Sequence, residues 1–375
     1  MTRDNYYPLR LKAVLKEKIW GGRNLKRLLG KALPPGMHIG ETWEAWDGCV
    51  IENGAHQGRT LQSLLDEDAE GILGAAHTHA PRFPLLFKFI DAQQDLSVQV
   101  HPDDARAQSL EQQPFGKTEA WFILDAEPDA KLILGFKRAV RSEEVVAGLK
   151  NKNLIDLLSF VPVQRGDVVF VPAGTVHAIG KGIVLAEIQE NSDITYRLYD
   201  WDRSGEARAL HIDQSLRVFS GTRVEQPKIP SVVLHHPQFD EDYLVACRYF
   251  ALTHFQIDQR VDALSTNGKF QILSIIQGAA NIFFGPGFAS SVSAGRGQTL
   301  VLPARLGAYS ILPVTPCKIL RAFVPDLKQE IVAPLRKAGY DAATVARLGG
   351  SIDEHNDLAP LLRLSQPQEE TSRSK

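Results

Sequence analysis

Two histidines, one glutamate and one glutamine occur at spacings that suit a metal site built on β-strands. Residues two apart in a strand share a face, so Gln99 and His101 point the same way, and so do Lys117 and Glu119. His177 follows a Pro-x-Gly turn and brings a second imidazole from a third strand. Two neutral nitrogens, a carboxylate and an amide oxygen suit zinc or a similar divalent ion, and this set leaves a position open for water or substrate.

Part of this pattern resembles the motifs of the cupin superfamily. Residues 166–177 carry the Gly, Pro-x-Gly and His of the second cupin motif, with Lys181 where an asparagine usually follows. The first motif departs from the usual His-x-His…Glu in two ways: Gln99 replaces the first histidine, and seventeen residues separate His101 from Glu119. A lone buried histidine is more often a hydrogen-bonded core residue than a ligand, but the joint occurrence of these residues favours metal binding.

The two departures in the first motif point to one family within the cupin superfamily. Residues 88–103, 116–121 and 187–197 are all similar to the type I phosphomannose isomerases. The resemblance runs from about Tyr7 to about Val324 and does not extend to the residues that follow. It implies a zinc-dependent aldose–ketose isomerase that interconverts mannose 6-phosphate and fructose 6-phosphate through an enediol, with one Zn²⁺ per chain.

The resemblance also implies the residues of the site. The implied metal ligands are Gln99, His101, Glu119 and His177. Arg197 aligns with a catalytic arginine of the family. Without the resemblance, Arg197 is better explained as a surface residue that pairs with Asp193 or Asp200. Lys117 lies two residues before a ligand on the same face, so we expect its ammonium group to enter the pocket.

The implied reaction removes a proton next to a carbonyl group, stabilises an enediolate and returns the proton to the neighbouring carbon. A bound metal would act as a Lewis acid on the substrate oxygens. Lys117 and Arg197 add positive charge that suits either the enediolate or a substrate phosphate. The general base is Glu187, Lys117 or a metal-bound hydroxide, and the sequence does not choose among them.

Two other functions fit part of this pattern. A metal-cupin oxygenase would need iron and usually a histidine-rich ligand set, whereas Gln99, Lys117 and Arg197 predict a polar, cationic pocket without a redox role. A non-catalytic sugar-phosphate-binding cupin would keep the metal and the cations but lose the base. The presence of Glu187 argues mildly against this second alternative.

Composition and charge set the broad class of the protein. With 375 residues, 44% apolar residues and 23% charged residues, the chain has an ordinary globular composition. A net charge of −2 without a dense block of Lys and Arg argues against nucleic acid or a membrane surface as the main partner. Three widely spaced cysteines fit reduced thiols, and the first ten residues do not resemble a signal peptide. We therefore expect a cytoplasmic protein with a sugar phosphate substrate, either a monomer or a homodimer.

The elements that must position these residues are mostly strands, because short apolar runs broken by Gly and Pro outnumber helical patterns. Residues 295–304 repeat the Gly…Pro end of the metal-binding motif without its histidine, which indicates a second barrel that lacks metal. The predicted fold is mainly β, with two cupin (jelly-roll) barrels, a few helices and a helical C-terminal extension. The predicted domains are an N-terminal metal-binding cupin domain with helical insertions (1–220), a metal-free C-terminal cupin domain (232–324) and a helical extension with a disordered end (325–375).

Periodicity gives the approximate limits of single elements. Helices are expected at residues 60–73, 103–110 and 142–160. Strands around the proposed site are expected at residues 85–90, 96–101, 120–124, 132–135, 167–171 and 183–189. In the second barrel they are expected at residues 243–255, 270–277, 279–284, 298–302 and 317–324.

Overall fold

A computed structural model describes residues 6–203, 208–351 and 355–364 of the chain. Within these ranges, 21 strands form three antiparallel sheets, and seven α-helices connect or flank them. The prediction of a mainly β protein with few helices and a helical C-terminal region is confirmed. No helix in the described ranges is both long and apolar enough to span a membrane.

The strands and helices are numbered in chain order. The strands of the first part are β1 (Leu9–Lys12), β2 (Val14–Gly22), β3 (Ile39–Ala45), β4 (Val50–Ile51), β5 (Leu85–Ala92), β6 (Val98–Val100), β7 (Glu119–Ala126), β8 (Lys131–Phe136), β9 (Leu158–Pro162), β10 (Val168–Val171), β11 (His177–Ile179), β12 (Ile183–Glu190) and β13 (Tyr196–Tyr199). Those of the second part are β14 (Val232–His235), β15 (Asp240–Ala246), β16 (Ala251–Ile257), β17 (Val261–Ser265), β18 (Gln271–Phe284), β19 (Ser290–Gly295), β20 (Thr299–Leu302) and β21 (Ala308–Phe323). The α-helices are α1 (Asn24–Leu29), α2 (Leu61–Leu73), α3 (Asp104–Glu111), α4 (Ser142–Lys150), α5 (Ile212–Val218), α6 (Ala333–Lys337) and α7 (Ala342–Ala346).

Two sheets form what we call the first barrel. Their strand orders are β10-β7-β12-β5-β3-β2 and β13-β6-β11-β8-β9. Side chains from both sheets meet in one apolar cluster, which includes Trp121 and Leu185 from the first sheet and Leu134 and Ile179 from the second. Because alternate residues of a strand face the same side, this cluster fixes which side chains point into the barrel.

Strand β5 is a central strand of the six-stranded sheet, and all of its residues are buried. Phe87 and Phe89 pack in a large core shared with the C-terminal part of the chain, whereas Ile90 belongs to the cluster inside the first barrel. A strand buried on both faces has a nearly continuous apolar sequence. Lys88 interrupts that run and shares its face with Ile90.

The third sheet contains ten strands. Its main path is β14-β15-β16-β21-β18-β20-β1-β4, with β17 beside β21 and β19 beside β18. Apolar side chains of β16, β18, β20 and β21 form a separate core, to which Phe255, Ile275, Leu300 and Ile319 contribute. Strands β1 and β4 belong to this sheet although they come from residues 1–220, and the proposed domain boundaries stay a prediction.

One expected helix ends earlier than predicted, and one expected strand is divided in two. The helix expected at 142–160 stops at Lys150, because Lys152 adopts a left-handed conformation (φ 57°) and residues from Leu158 onward pair as β9 with β8. The strand expected at 243–255 is two strands, since a hydrogen bond from the Cys247 amide to the Phe250 carbonyl closes a turn between β15 and β16.

The C-terminal extension packs on the rest of the chain. It begins with a π-helical turn, Leu327–Val332, and continues through α6 and α7. Its apolar side chains join the large core that also contains strands of the first barrel; they are Ile331, Leu335, Val345, Leu348 and Leu358. The end predicted to be disordered, from residue 365 onward, lies outside the described residues.

Candidate metal centre and active site

The predicted ligands converge inside the first barrel. Gln99 lies in β6 and is paired in register with His177, the first residue of β11. His101 directly follows β6, and Glu119 is the first residue of β7 on the other sheet. The ligand atoms of His101, Glu119 and His177 all lie within 4.8 Å of one another. The structure therefore brings three distant segments to one point, as the spacing predicted.

Both imidazoles are oriented by backbone carbonyl groups. The Nδ1 atom of His101 lies 2.8 Å from the Ile194 carbonyl oxygen, and that of His177 lies 2.8 Å from the Thr175 carbonyl oxygen. A proton on each Nδ1 satisfies these contacts and leaves each Nε2 lone pair directed at the cluster. Burial, followed by the charge of Lys117, lowers the pKa of both rings, to about 3 for His177, so both are neutral and able to bind a cation.

Lys117 places its ammonium group within the ligand cluster. Its Nζ lies 3.0 Å from His101 Nε2 and also contacts the Glu119 carboxylate. The other carboxylate oxygen, Glu119 Oε1, has no hydrogen-bond partner among the described residues, although His177 Nε2 is 3.4 Å away. Burial raises the pKa of Glu119, and a buried carboxylate with a free oxygen favours a nearby cation.

The Gln99 amide reaches the same point from β6. Its Nε2 is 3.3 Å from His177 Nε2. Because the oxygen and nitrogen of an amide differ only by a rotation about the last torsion, the same position can present the oxygen to a metal ion. Gln99 is only half-buried, whereas the other three predicted ligands are at most 1% exposed. The cluster is therefore closed on the Glu119 side and open on the Gln99 side.

A second buried ion pair lies beside the cluster. Glu187 on β12 is opposite Trp121 on β7 and Lys88 on β5. The Lys88 ammonium group is 3.0 Å from Glu187 Oε2, and the Trp121 indole N–H donates to Oε1 at 3.0 Å. Burial alone would raise the pKa of Glu187, but the charges of Lys88 and Lys117 outweigh it and hold the pKa well below the usual 4.5. Glu187 is therefore ionised at neutral pH.

Trp121, Glu187 and Lys88 form a row of polar side chains across neighbouring strands. This row continues across the same sheet to Glu41 on β3. Lys18 lies 3.2 Å from this carboxylate, and the indole N–H of Trp43 donates to it at 2.8 Å. Burial opposes ionisation, yet the charges of Lys88 and Lys18 lower the pKa of Glu41. Basic and acidic residues thus alternate across this sheet from β2 to β12, as Lys18, Glu41, Lys88 and Glu187, a composition suited to a polar ligand.

Arg197 lies on β13, in register with Gln99 on β6. Its guanidinium group donates to the Ser97 hydroxyl at 3.2 Å and to the Ala209 carbonyl at 2.8 Å. No ion pair with Asp193 or Asp200 is found for this side chain in the described part of the chain, where Asp200 pairs with Arg203 and Arg208 instead. Arg197 is partly exposed and stands at the open side of the cluster rather than in it.

Four residues of the site were not predicted from the sequence: Lys88, Trp121, Glu41 and Ser97. For Lys88 a signal existed, since a lysine in the middle of an apolar strand must find a buried partner. For Trp121 and Glu41 the signal is cross-strand register, which a single sequence does not display.

Comparison with known proteins agrees with this geometry. The family model for the type I phosphomannose isomerase catalytic domain matches residues 9–120. The mannose-6-phosphate isomerase ManA of Bacillus subtilis is 37% identical over 321 residues, which cover 83% of this chain and 97% of the relative. The chain belongs to the type I phosphomannose isomerase family. A mannose-6-phosphate isomerase of Streptococcus mutans is 36% identical over 309 residues, with 80% and 94% of the two chains covered.

A solved structure of the family shares the fold. The crystal structure of the mannose 6-phosphate isomerase from Bacillus subtilis matches with a TM-score of 0.75 and 30% sequence identity. The match covers 84% of this chain and 99% of that one, so nearly the whole of the family member has a counterpart here. The predicted family and cupin fold are confirmed.

Proposed function

We propose that this protein interconverts mannose 6-phosphate and fructose 6-phosphate at a zinc ion held by Gln99, His101, Glu119 and His177. The observation that carries the proposal is the buried cluster of two imidazoles and one carboxylate in a chain of this family. The identity of the substrate is inferred from the family. The cluster supports the reaction, because it can bind the metal ion that an isomerase of this kind needs. Cytoplasmic location, and the choice between monomer and homodimer, stay predictions.

The donor set fits a resident divalent cation. Both Nε2 lone pairs face the cluster, Glu119 offers a free oxygen, and the Lys117 ammonium group stands where positive charge is favoured. Two imidazoles, a carboxylate and an amide oxygen suit zinc or a similar divalent ion, and the carbonyl contacts of both Nδ1 atoms are the usual support for metal-bound histidines. When bound, zinc supplies a Lewis acid that stabilises negative charge on substrate oxygens.

The chain's own cations complete this stabilisation. Lys117 is 4% exposed, so its charge acts in a medium of low dielectric constant, where it stabilises a developing enediolate more than it would in water. Lys88 is kept charged by Glu187 and lies on the same interior face. The alternating charges hold these groups in place before substrate arrives, so little reorganisation is needed during the reaction.

The proton-transfer group is better assigned to Lys117 than to Glu187. A general base works best when its pKa lies near the working pH, and Glu187 is held far below that range by Lys88. Lys117, in contrast, places its proton-exchanging atom against the ligand cluster. We therefore propose that Glu187 orients Lys88 and Trp121 as an ionised partner. Lys117 as a neutral amine takes the proton from one carbon, stabilises the enediolate as an ammonium group, and returns the proton to the neighbouring carbon.

Arg197 is proposed to bind the substrate phosphate. It lies beside Gln99 at the open side of the cluster, and Ser97 fixes its guanidinium group. Arginine presents several N–H donors in a plane, a geometry that matches phosphate oxygens. A sugar held this way would direct its reacting end toward the ligands and its phosphate toward solvent.

The metal assignment is tested with His177→Ala. Loss of one imidazole should abolish tight zinc binding and activity while the protein stays folded, because the apolar alternation of β11 is untouched. His254→Ala is the matched control, since His254 is buried and pairs with Asp242 at 2.9 Å in the ten-stranded sheet. Full zinc occupancy and normal turnover in His177→Ala would refute the site.

Two measurements on the unchanged protein distinguish the isomerase from the two alternative functions. Metal analysis of protein purified without added metal, together with a coupled assay for fructose 6-phosphate, should give zinc and turnover. A binding protein would give metal without turnover. An oxygenase would give iron and consume dioxygen.

A further inference from the structure

The segment that carries Lys117 is irregular and is held by its surroundings. Residues 112–118 form neither helix nor strand, and β7 begins only at Glu119. Gly116 lies so close to the start of α3 that an added Cβ would come within 2.5 Å of the Asp103 carbonyl carbon. A lysine side chain on such a segment keeps its position only if the backbone on both sides is fixed.

Two carboxyl groups bind the amides on either side of Lys117. The Gly116 N–H donates to Asp104 Oδ1 at 2.7 Å, and the Thr118 N–H donates to Glu190 Oε1 at 2.8 Å. The Lys117 amide itself donates to the Pro102 carbonyl at 2.9 Å. Glu190 also donates its own amide to the Thr118 carbonyl at 3.2 Å. Every backbone N–H from 116 to 118 thus has a fixed acceptor.

The two carboxyl groups lie close to each other. Glu190 is 2% exposed, and it accepts the Thr118 N–H while Asp104 accepts the Gly116 N–H two residues away. Burial, and then the charge of the neighbouring Asp104, raise the pKa of Glu190 well above its usual value.

We propose that Glu190 and Asp104, which bind the backbone amides on either side of Lys117, are positioning residues for Lys117. The proposal rests on the proposed role of Lys117 in the isomerase reaction. We call the two residues the carboxyl clamp. In the described part of the chain, no hydrogen bond or ion pair joins the clamp to the metal ligands or to the Lys117 ammonium group. The clamp sets the position of that group through the backbone from Gly116 to Thr118.

The clamp is tested by a double-mutant cycle with zinc-loaded, full-length protein. Glu190→Ala, Lys117→Ala and the double variant are compared with the unchanged protein. We expect Glu190→Ala to lower kcat/KM by about tenfold or more when Lys117 is present, and by less than about twofold when it is absent, because a positioning residue matters only through the group it positions. Bound zinc should not change.

Conservative replacement provides a second readout. Glu190→Gln keeps an oxygen for the Thr118 amide and supplies N–H donors to Asp104, so it should recover most of what Glu190→Ala loses. Glu241→Ala is the matched control, since Glu241 is also buried and is paired with Arg321 in the ten-stranded sheet. It should lower stability and leave kcat/KM unchanged.

The outcomes distinguish this proposal from the proposed function. If Lys117→Ala has native kinetics, the proposed role of Lys117 and the clamp are overturned together, while the isomerase activity and its metal site are not. If Lys117→Ala is impaired but Glu190→Ala costs the same factor in both backgrounds, or Glu190→Gln behaves like Glu190→Ala, only the clamp is overturned. Should Glu190→Ala fail to fold, Asp104→Ala replaces it in the cycle, because Asp104 is only half-buried at the first turn of α3.

Discussion

Lys88 is the residue on which the ionisation of Glu187 depends. Its ammonium group is buried and lies 3.0 Å from the carboxylate, so its charge acts with little screening by water. Removing one member of a buried pair leaves the other without compensation. The electrostatics of the row formed by Trp121, Glu187 and Lys88 should therefore respond strongly to a neutral residue at position 88.

We predict that Lys88→Met lowers kcat/KM by about a hundredfold, with zinc content unchanged. Since Lys88 holds the pKa of Glu187 down, the variant should have a Glu187 pKa nearer to or above its usual value. If Glu187 must be ionised, activity is lost on acidification at a higher pH than in the unchanged protein. A pH profile of kcat/KM measures this shift.

Lys18→Met is the control for this prediction. Lys18 also pairs with a partly buried carboxylate, that of Glu41, but Lys18 is more exposed than Lys88. Lys18→Met should therefore not change the pH at which kcat/KM falls on acidification. The same pH in Lys88→Met as well would show that Lys88 does not control the ionisation of an essential group.

Arg197 can be tested by comparing a phosphorylated with an unphosphorylated sugar. Arg197→Ala should lower kcat/KM for mannose 6-phosphate by about a hundredfold or more compared with the unchanged protein. With unphosphorylated mannose, the same substitution should lower kcat/KM by a much smaller factor. Arg208→Ala serves for comparison, because Arg208 is a nearby arginine that is already paired with Asp200. Near-native kinetics of Arg197→Ala on the phosphorylated sugar would return the residue to a surface role.

Site residues could be predicted from the sequence where their positions depend on local spacing along the chain. Gln99, His101 and Glu119 could be placed because strand alternation and motif spacing determine their faces. Lys88 and Trp121 could not be placed, because they meet only through the registers of β5, β7 and β12. The low pKa of Glu187 likewise follows from a partner that is distant in the chain, Lys88.

Strand β3 links the active site to the ten-stranded sheet. Glu41 and Trp43 face the interior of the first barrel, and Glu44 faces the other way. The Glu44 carboxylate lies 2.5 Å from Lys31 Nζ, which also donates to the Gly297 carbonyl at 2.5 Å, and Thr299 donates to Glu44 at 3.3 Å. One strand therefore carries a polar residue of the pocket on one face and a buried contact between barrel and sheet on the other.

We predict that Glu44→Ala destabilises the protein by about 3 kcal/mol, because it leaves the Lys31 charge buried without its partner. Unfolding in urea measures the loss. The double variant Lys31→Met, Glu44→Leu should recover much of it, since paired apolar groups can replace a buried ion pair. Equal stability of Glu44→Ala and the unchanged protein would mean that water reaches Lys31 freely.

Element limits were predictable where a local signal exists. Thr60 accepts a hydrogen bond from the Ser63 amide, and α2 begins directly after it, as the pattern of residues indicated. The end of α4 at Lys150 was not predictable from periodicity, because the apolar pattern continues while tertiary pairing with β8 turns residues 158–162 into a strand. Pairing of distant strands outweighed local propensity there.

The large core that joins distant parts of the molecule includes its C-terminal extension. Ile331, Leu335 and Val345 are completely buried, in the same cluster as Phe87 and Phe89 of the first barrel. We predict that truncation after Val324 lowers the melting temperature or the solubility, because it exposes this apolar surface. Thermal unfolding and light scattering check the result.

Removal of residues 366–375 is the control for that truncation. This segment lies outside the described residues, and its composition is too poor in apolar side chains to form a core. Kinetics and melting temperature should be unchanged. Loss of turnover in a folded, zinc-loaded protein after the short deletion would show that these residues reach the active site.

The pairing of β1 with β20 has a consequence for synthesis on the ribosome. Leu9 pairs with Val301, and β4 pairs with β1 in turn, so both strands lack their sheet until β20 has emerged. The first barrel, in contrast, has all of its strands once Tyr199 is outside. We expect a nascent chain that completes one barrel early and carries the pair of β1 and β4 with an open edge until β20 follows, an interval in which a chaperone or a neighbouring chain could bind that edge.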